Sequence, residues 1–290
     1  MYFYILRLIR PHQWIKNGFV FIGVLFAKHW DVETLTLAGL AFLAFCAVSS
    51  AVYVVNDILD VEADRQHPVK KNRPLARGSI SLTTAWLLAS LLFALSLAIA
   101  WQVTEWVLGF IVAYALLNLA YSWRLKHIAV LDVFIIATGF MLRILAGTVG
   151  LGIPPSSWLL LCGLMLTLFL GFAKRRAELL AIEDLPGDRA MTRRVLDDYT
   201  PATIEQFMAI SAACAILAYS LYTVSPETVS RHGTPNLIYT VPFVIYGILR
   251  YILILHTRDA GHDTARDLYS DPHILLTVTG WAVTTVSLLL

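Results

Sequence analysis

Between Val55 and Arg77 the chain reads VNDILDVEADRQHPVKKNRPLAR, and its side chains suit a metal-bound diphosphate. Asn56, Asp60 and Asp64 recur every four residues and Asp57 precedes Asp60 by three, so on a helix the four share one broad face. Glu62 falls on another. Three carboxylates and an amide offer only oxygen, which suits Mg2+ better than zinc or copper. A few carboxylates do not fill the octahedral shell of Mg2+, so substrate phosphates commonly complete it. Basic residues follow at once: Arg65, Lys70, Lys71, Arg73 and Arg77. Acids for the cation beside bases for the phosphates is what a magnesium diphosphate requires. The bland alternative is a solvated loop of mutually neutralising charges. The position of the block, at the mouth of an apolar helix, weighs against it.

That helix is predicted from the run Thr36–Val55, long enough to cross a bilayer. The 290-residue chain is 58% hydrophobic and 14% charged, whereas a soluble domain is about 25% charged. Its mean hydropathy is +0.69. These values predict an all-α polytopic membrane protein forming a single domain, 1–290, with membrane lipids as its surroundings. A net charge of +2 argues against bulk nucleic-acid binding. Cys46, Cys162 and Cys214 lie far apart in apolar runs, without metal-ligand spacing or a disulfide framework, and read as buried small hydrophobes.

Apolar runs of spanning length fall at 18–35, 36–56, 80–101, 105–122, 128–149, 157–174, 203–223, 237–256 and 273–290. About nine helices follow, since no other single element satisfies its backbone inside a bilayer. The first run is the weakest, interrupted by Lys28, Asp31 and Glu33. Arg65–Arg77, Arg124 with Lys126, Lys174–Arg194, and Arg258 with Arg266 fall in one set of loops; the other set holds little beyond Lys28 and Arg231. The positive-inside rule places the first set, the N-terminus and the chemistry on the cytoplasmic side. Nine spans put the C-terminus outside, and Trp30, Trp101, Trp106 and Trp158 near the outer ends fit an aromatic belt.

Other groups are less specific. The lead-in YFYILRLIRPHQWIKN reads as an interfacial segment rather than a signal peptide, with Arg7, Arg10 and Trp14 as headgroup anchors and His12 as an interfacial polar residue. Lys16 and Asn17 at a helix start can complete a phosphate site. Tyr121 and Lys126, in Tyr121–His127, can reach phosphate or ribose hydroxyls, although a short two-base loop also follows from topology alone. Lys174 and Glu178 form an i, i+4 pair, and the run Lys174-Arg175-Arg176 serves equally as a phosphate site or a topology marker. Arg143 lies deep in an apolar run. An intramembrane arginine points to function by default, against which stands a structural ion pair with Asp132. Gly139, Ala146, Gly147 and Gly150 nearby permit close helix packing.

Taken together, N-D-x-x-D-x-x-x-D ending the second run, Y-S-x-x-L-K after the fourth, and nine helices resemble the UbiA superfamily of intramembrane prenyltransferases. The R-P-x-Q-W-x-K-N start and the K-R-x-A-E after the sixth run are similar to its decaprenyl-phosphate phosphoribosyltransferase branch. So are Glu62-Ala63-Asp64-Arg65-x-His67-Pro68 with Arg73-Pro74, Leu249-Arg250-Tyr251, and Arg266-Asp267. The similarity covers essentially the whole chain. It implies a UbiA-like bundle in a bacterial cytoplasmic membrane, with Mg2+ as cofactor. It also implies transfer of 5-phosphoribosyl from phosphoribosyl diphosphate to a decaprenyl-type polyprenyl phosphate, for cell-envelope arabinan precursors. Asp57 and Asp60 would be the catalytic carboxylates, with Asn56 and Asp64 beside them at the metal. Lys16, Asn17, Lys70, Arg73, Tyr121 and Lys126 would bind substrate, as would Arg143, Lys174, Arg175 and Glu178. Aromatic prenyltransferases of this superfamily carry a second Asp-rich motif near the sixth helix. The bases standing there in this chain imply a site for a bare phosphate.

Two other readings stay open. One is a UbiA-type aromatic or quinone prenyltransferase using a prenyl diphosphate, its second metal cluster drawn from Glu183 with Asp184 or Asp197 with Asp198. The other is a transporter, which does not explain acids gathered at a helix end rather than near the midplane. The sequence leaves the assembly state undetermined, a homo-oligomer included.

Overall fold

The computed structural model describes residues 2–28, 30–66, 70–183, 196, 198–257, 261, 267 and 270–290. Every regular element among them is helical. The order is α1 (Tyr2–Ile9), a 3-10 segment (Pro11–Phe19), α2 (Val20–Ala27), α3 (Val32–Leu59), α4 (Val61–Gln66), α5 (Leu82–Val103) and α6 (Glu105–Trp123). Then come α7 (Leu131–Ala146), α8 (Ser157–Glu183), α9 (Pro201–Val224), α10 (Pro226–His232), α11 (Val241–Thr257) and α12 (Pro272–Leu289). Polar residues start them as capping chemistry requires. Asp31, Ser81, Thr104, Thr200, Ser225 and Asp271 each accept an N–H of the first turn, and proline opens α9, α10 and α12.

Eight of the described helical segments are long and apolar enough to cross a membrane, close to the nine expected. The difference lies in the run 18–35. There α2 is only 8 residues long and stops at Lys28, whose φ of 57° turns the chain before Asp31 caps α3. Charges that weakened the run in the sequence break the helix in the structure. Of the three cysteines only Cys46 is buried; Cys162 is half-buried and Cys214 is exposed. Cys214 shares an outward stripe of α9 with Ile210 and Leu217, an apolar face that lipid rather than protein would cover.

The described residues fall into two compact units, one of Met1–Lys126 with Leu142–Pro154, the other of His127–Met141, Pro155–Gly187 and Thr192–Leu290. In the first, α3 packs closely on α5 because both are rich in small residues. Ala38, Ala41, Ala44 and Ala51 are buried on α3, and Ala85, Ala89 and Ala100 on α5. Ser96 closes that packing by donating to the Ala44 carbonyl at 2.8 Å. At Gly147, a Cβ would stand 1.7 Å from the Val20 carbonyl oxygen, so only glycine admits this approach. Leu87 and Leu91 on the other side of α5 are exposed, as lipid-facing residues are.

In the second unit, α8 and α9 pack around Phe169, Phe172, Ile204 and Met208, joined by Tyr251 of α11. The start of α7 lies close on α8, where a Cβ at Gly171 would meet a Val133 methyl at 2.6 Å.

Candidate active site

The last turn of α3 carries Asn56 and Asp57, and the helical path continues past its end. Asp60 N–H bonds the Asn56 carbonyl at 2.9 Å and Asp64 N–H bonds the Asp60 carbonyl at 2.8 Å. The acids therefore keep the side-chain directions expected from their spacing, divided between two neighbouring aspects. Asp57 and Asp64, each 3% exposed, turn inward and are bridged by Arg73. Arg73 Nη1 lies 3.0 Å from Asp57 Oδ1 and 2.7 Å from Asp64 Oδ2. Asp57 Oδ1 also accepts from Arg10 Nη2 at 2.6 Å. Asp60, its side chain 42% exposed, faces Lys126 with Nζ at 3.5 Å. Asn56 Oδ1 accepts from Ser122 Oγ at 2.6 Å. Glu62 points away into solvent and pairs with Arg65. Three carboxylates thus meet three cations in one cluster.

Among the described residues, no three His, Cys, Asp or Glu side chains converge closely enough to cage a metal ion alone. The donors present are nevertheless all oxygen, and Mg2+ is commonly held by one or two carboxylates with substrate phosphates completing the shell. The oxygen donors of Asn56, Asp57, Asp60 and Asp64 are of the kind such an ion takes, and of the three carboxylates Asp60 is the one that water reaches.

Two residues expected at the lipid headgroups turn inward instead. Arg10, in a left-handed conformation with φ 52°, directs its side chain to Asp57, its guanidinium 5.1 Å from the Tyr53 ring. Trp14 Nε1 donates to Ser50 Oγ at 3.0 Å, and Ser50 in turn donates to the Ile9 carbonyl at 2.8 Å. Arg7 remains exposed beside Phe3, as an anchor would be. The partners of Arg10 and Trp14 lie on α3, 47 and 36 positions away, so no local pattern reveals them. Lys16, Lys70 and Tyr121 are half-buried, Tyr121 directly preceding Ser122.

Deeper in the same unit, Asn17 is buried and holds Arg143. Asn17 Oδ1 accepts from Arg143 Nε at 2.7 Å, while its amide nitrogen lies 3.2 Å from Cys46 Sγ and 3.4 Å from Ser49 Oγ. The Arg143 guanidinium also donates to the Tyr114 hydroxyl at 3.2 Å and lies 4.6 Å from that ring's centroid. The expected alternative partner, Asp132, is taken elsewhere, so the ion pair weighed for Arg143 is replaced by an amide and aromatic faces. Asn17 accordingly orients an arginine rather than standing open to a phosphate.

In the second unit, Asp132 accepts from Arg175 Nε at 2.5 Å and from the Tyr199 hydroxyl at 3.0 Å. Arg175 also pairs with Glu178, and neither Arg175 nor Asp132 has any exposed side-chain surface. Burial pushes the Tyr199 hydroxyl well above the ordinary tyrosine range, so it stays protonated. Arg176 is tied to Glu205 at 3.2 Å and to the Leu255 carbonyl at 3.0 Å. Of the three consecutive bases, Lys174 is the one with substantial exposure, 39%, and it lies 4.0 Å from Glu178. The expectation of a phosphate site from this run is corrected for Arg175, which faces inward on α8 and is spent on two carboxylates. The Tyr251 and Asp267 of two separate motifs do meet, hydroxyl to carboxylate, at 3.3 Å. His67, Arg258, Arg266, Asp184, Asp197 and the side chain of Glu183 lie outside the described residues.

The model of the UbiA prenyltransferase family matches residues 18–270. A decaprenyl-phosphate phosphoribosyltransferase of Corynebacterium glutamicum is 36% identical over 265 residues, 88% of this chain and 78% of that protein. The Mycobacterium tuberculosis protein of the same name is 36% identical over 262 residues, 89% of this chain and 85% of its own length. The solved structure of a UbiA homolog from Archaeoglobus fulgidus bound to GPP and Mg2+ superposes with a TM-score of 0.72, covering 99% of this chain and 98% of that one. At 20% identity that likeness is one of fold.

Proposed function

The chain belongs to the UbiA prenyltransferase family, and on that premise we propose that it is an integral-membrane phosphoribosyltransferase. The chain 1–290 acts as one transferase, moving the 5-phosphoribosyl group of phosphoribosyl diphosphate to a polyprenyl phosphate, a step toward arabinan-type envelope precursors. The observation that carries this reading is the identity of 36% along 88% of the chain to proteins bearing that activity in their names. The α3 cluster supports it. Arg10, Arg73 and Lys126 already hold the oxyanions of aspartates, and the same N–H groups suit phosphate oxygens. The excess of Lys and Arg in the loops on its side supports a cytoplasmic site, where a water-soluble donor is available.

Asp57 and Asp60, with Asn56 and Asp64 beside them, would hold Mg2+, which when bound neutralises the leaving diphosphate. A phosphate oxygen of the lipid forms the new bond to ribose C1. The bond from C1 to the diphosphate oxygen breaks, and its electron pair departs with the diphosphate. A phosphate monoester is already anionic, so no strong general base is needed. The residues' contribution is positioning and charge stabilisation. Lys16, Lys70, Tyr121 and Arg143 of the first unit are assigned to substrate oxygens, and Lys174 of the second to a substrate phosphate.

The test is incubation of purified protein with labelled phosphoribosyl diphosphate, polyprenyl phosphate and Mg2+, followed by lipid extraction. Label is expected in the lipid phase. Turnover only with a prenyl diphosphate and an aromatic acid would overturn the assignment in favour of aromatic prenyl transfer.

A further inference from the structure

Arg10, Lys28 and Val130 are the non-glycine residues with positive φ among the described residues, and of these Arg10 alone precedes a proline. Its φ of 52° and ψ of 61° are left-handed. A Cβ disfavours that region, and a following proline pushes its predecessor toward extended backbone. A residue stays in such a conformation only where its surroundings impose it.

The restraint comes from α3, within the same compact unit. Ser50 Oγ donates at 2.8 Å to the Ile9 carbonyl, the oxygen of the peptide that joins Ile9 to Arg10. Ser50 Oγ also accepts from Trp14 Nε1 at 3.0 Å, so one hydroxyl ties both sides of the bend. Ser50 has no exposed surface. Within the bend, Arg10 N–H donates to the Leu6 carbonyl at 3.2 Å and the Arg10 carbonyl accepts from Gln13 N–H at 2.9 Å. The Arg10 guanidinium ends at Asp57, 2.6 Å away, passing 5.1 Å from the Tyr53 ring. Ser50, Tyr53 and Asp57 recur at i, i+3 and i+7, so they share one face of α3. That face grips Arg10 twice, at its backbone through Ser50 and at its guanidinium through Asp57. We infer that Ser50 is a positioning residue: with Trp14 it holds the peptide before Arg10 in the left-handed bend, and so keeps the guanidinium at Asp57. The role of Arg10 toward a substrate phosphate rests on the proposed function; the clamp on its backbone does not.

Ser50→Ala removes both hydrogen bonds and one atom. The expected effect is a rise in KM for phosphoribosyl diphosphate of roughly tenfold, with a smaller change in kcat, because a displaced base loses ground-state binding. Combined with Arg10→Gln, Ser50→Ala should raise KM no further than Arg10→Gln alone, since Ser50 acts through Arg10. Ser96→Ala is the matched control. It too removes a fully buried hydroxyl that donates to a carbonyl, that of Ala44 at 2.8 Å, but in the packing of α5 on α3. It should lower the melting temperature comparably and leave KM in place. A readout independent of turnover is the rate at which phenylglyoxal modifies Arg10, followed by mass spectrometry of its peptide. The rate should rise severalfold in Ser50→Ala and stay unchanged in Ser96→Ala. Trp14→Phe, which keeps the bond from Ser50 to Ile9, should shift KM and the modification rate the same way by less, and it carries the test if Ser50→Ala does not fold. Normal KM with a normal modification rate, additive losses with Arg10→Gln, or an equal rise of KM in Ser96→Ala each overturns the inference. If the unaltered protein shows no transfer from this donor, the proposed function fails instead. The modification rate then decides the clamp: a faster rate in Ser50→Ala alone supports it, and equal rates remove it.

Discussion

The cluster at the end of α3 and the cluster on α8 are built from the same parts, arginines against carboxylates, and differ in how far water reaches them. At α3, Arg10, Arg73 and Lys126 keep 24%, 30% and 20% of their side-chain surface exposed and Asp60 keeps 42%. At α8, Arg175 and Asp132 keep none. An ion pair at a wet edge can exchange one oxyanion for another, since water covers the intermediate stages. A sealed pair cannot, because removing either partner leaves a charge buried in a low-dielectric interior. The α3 cluster is therefore suited to receiving a ligand, and the α8 cluster to holding structure. This corrects the sequence expectation for Arg175, whose guanidinium is spent on carboxylates.

The comparison breaks most visibly at the carboxylates. Asp57→Ala and Asp60→Ala should each lower transfer by on the order of a hundredfold or more while the detergent-solubilised protein keeps its size-exclusion profile. Glu62→Ala, which removes a solvent-facing acid, should leave turnover nearly unchanged. Near-normal turnover in either aspartate variant would take the α3 cluster out of the chemistry.

The sealed cluster should answer in stability rather than kinetics. Arg175→Ala strands Asp132, and the expected cost is about 3–5 kcal/mol of folding free energy, seen as a sharp drop in melting temperature or in yield of folded protein. If Arg175→Ala instead folds normally and raises KM for the donor, the two clusters are alike in what they do.

A smaller effect is expected from single bases that water reaches, Arg73 in one unit and Lys174 in the other. Arg73→Gln should raise the donor KM by roughly tenfold, and Lys174→Ala by a few-fold, with modest changes in kcat. For Lys174 the loss should shrink with a ribose diphosphate lacking the 5-phosphate. Equal losses on both donors would move Lys174 away from that phosphate.

The least effect belongs to a third pair of intermediate exposure. The Arg250 guanidinium hydrogen-bonded to Asp271 pulls its carboxyl down to about 2. Its folded value lies below the unfolded one, near 3.9. The stability it contributes is therefore present above pH of about 4 and is lost as pH falls toward 2. Melting curves of the unaltered protein and Arg250→Gln should differ at pH 7 and converge as pH drops through that window. A gap independent of pH would mean the guanidinium acts through packing alone.

Part of this site was legible in the order of residues. The spacing of Asn56, Asp57, Asp60 and Asp64, the outward turn of Glu62 and the approach of Lys174 to Glu178 all depend on one helix's own period. A helix sets the direction of each side chain about its own axis, and an apolar run of spanning length sets the helix. Which other helix faces that direction is a matter of packing, and no local spacing encodes it. Arg10 meets Asp57 across 47 positions, Arg175 meets Asp132 across 43, and Asn17 meets Arg143 across 126. The sequence by itself determined a membrane-spanning helical chain with an acidic helix end flanked by bases. Only the tertiary structure decided that Arg10 meets Asp57 and that Arg175 is sealed against Asp132. Successive residues on a helix point about 100° apart, so of Lys174, Arg175 and Arg176 the one that is sealed depends on where Asp132 lies.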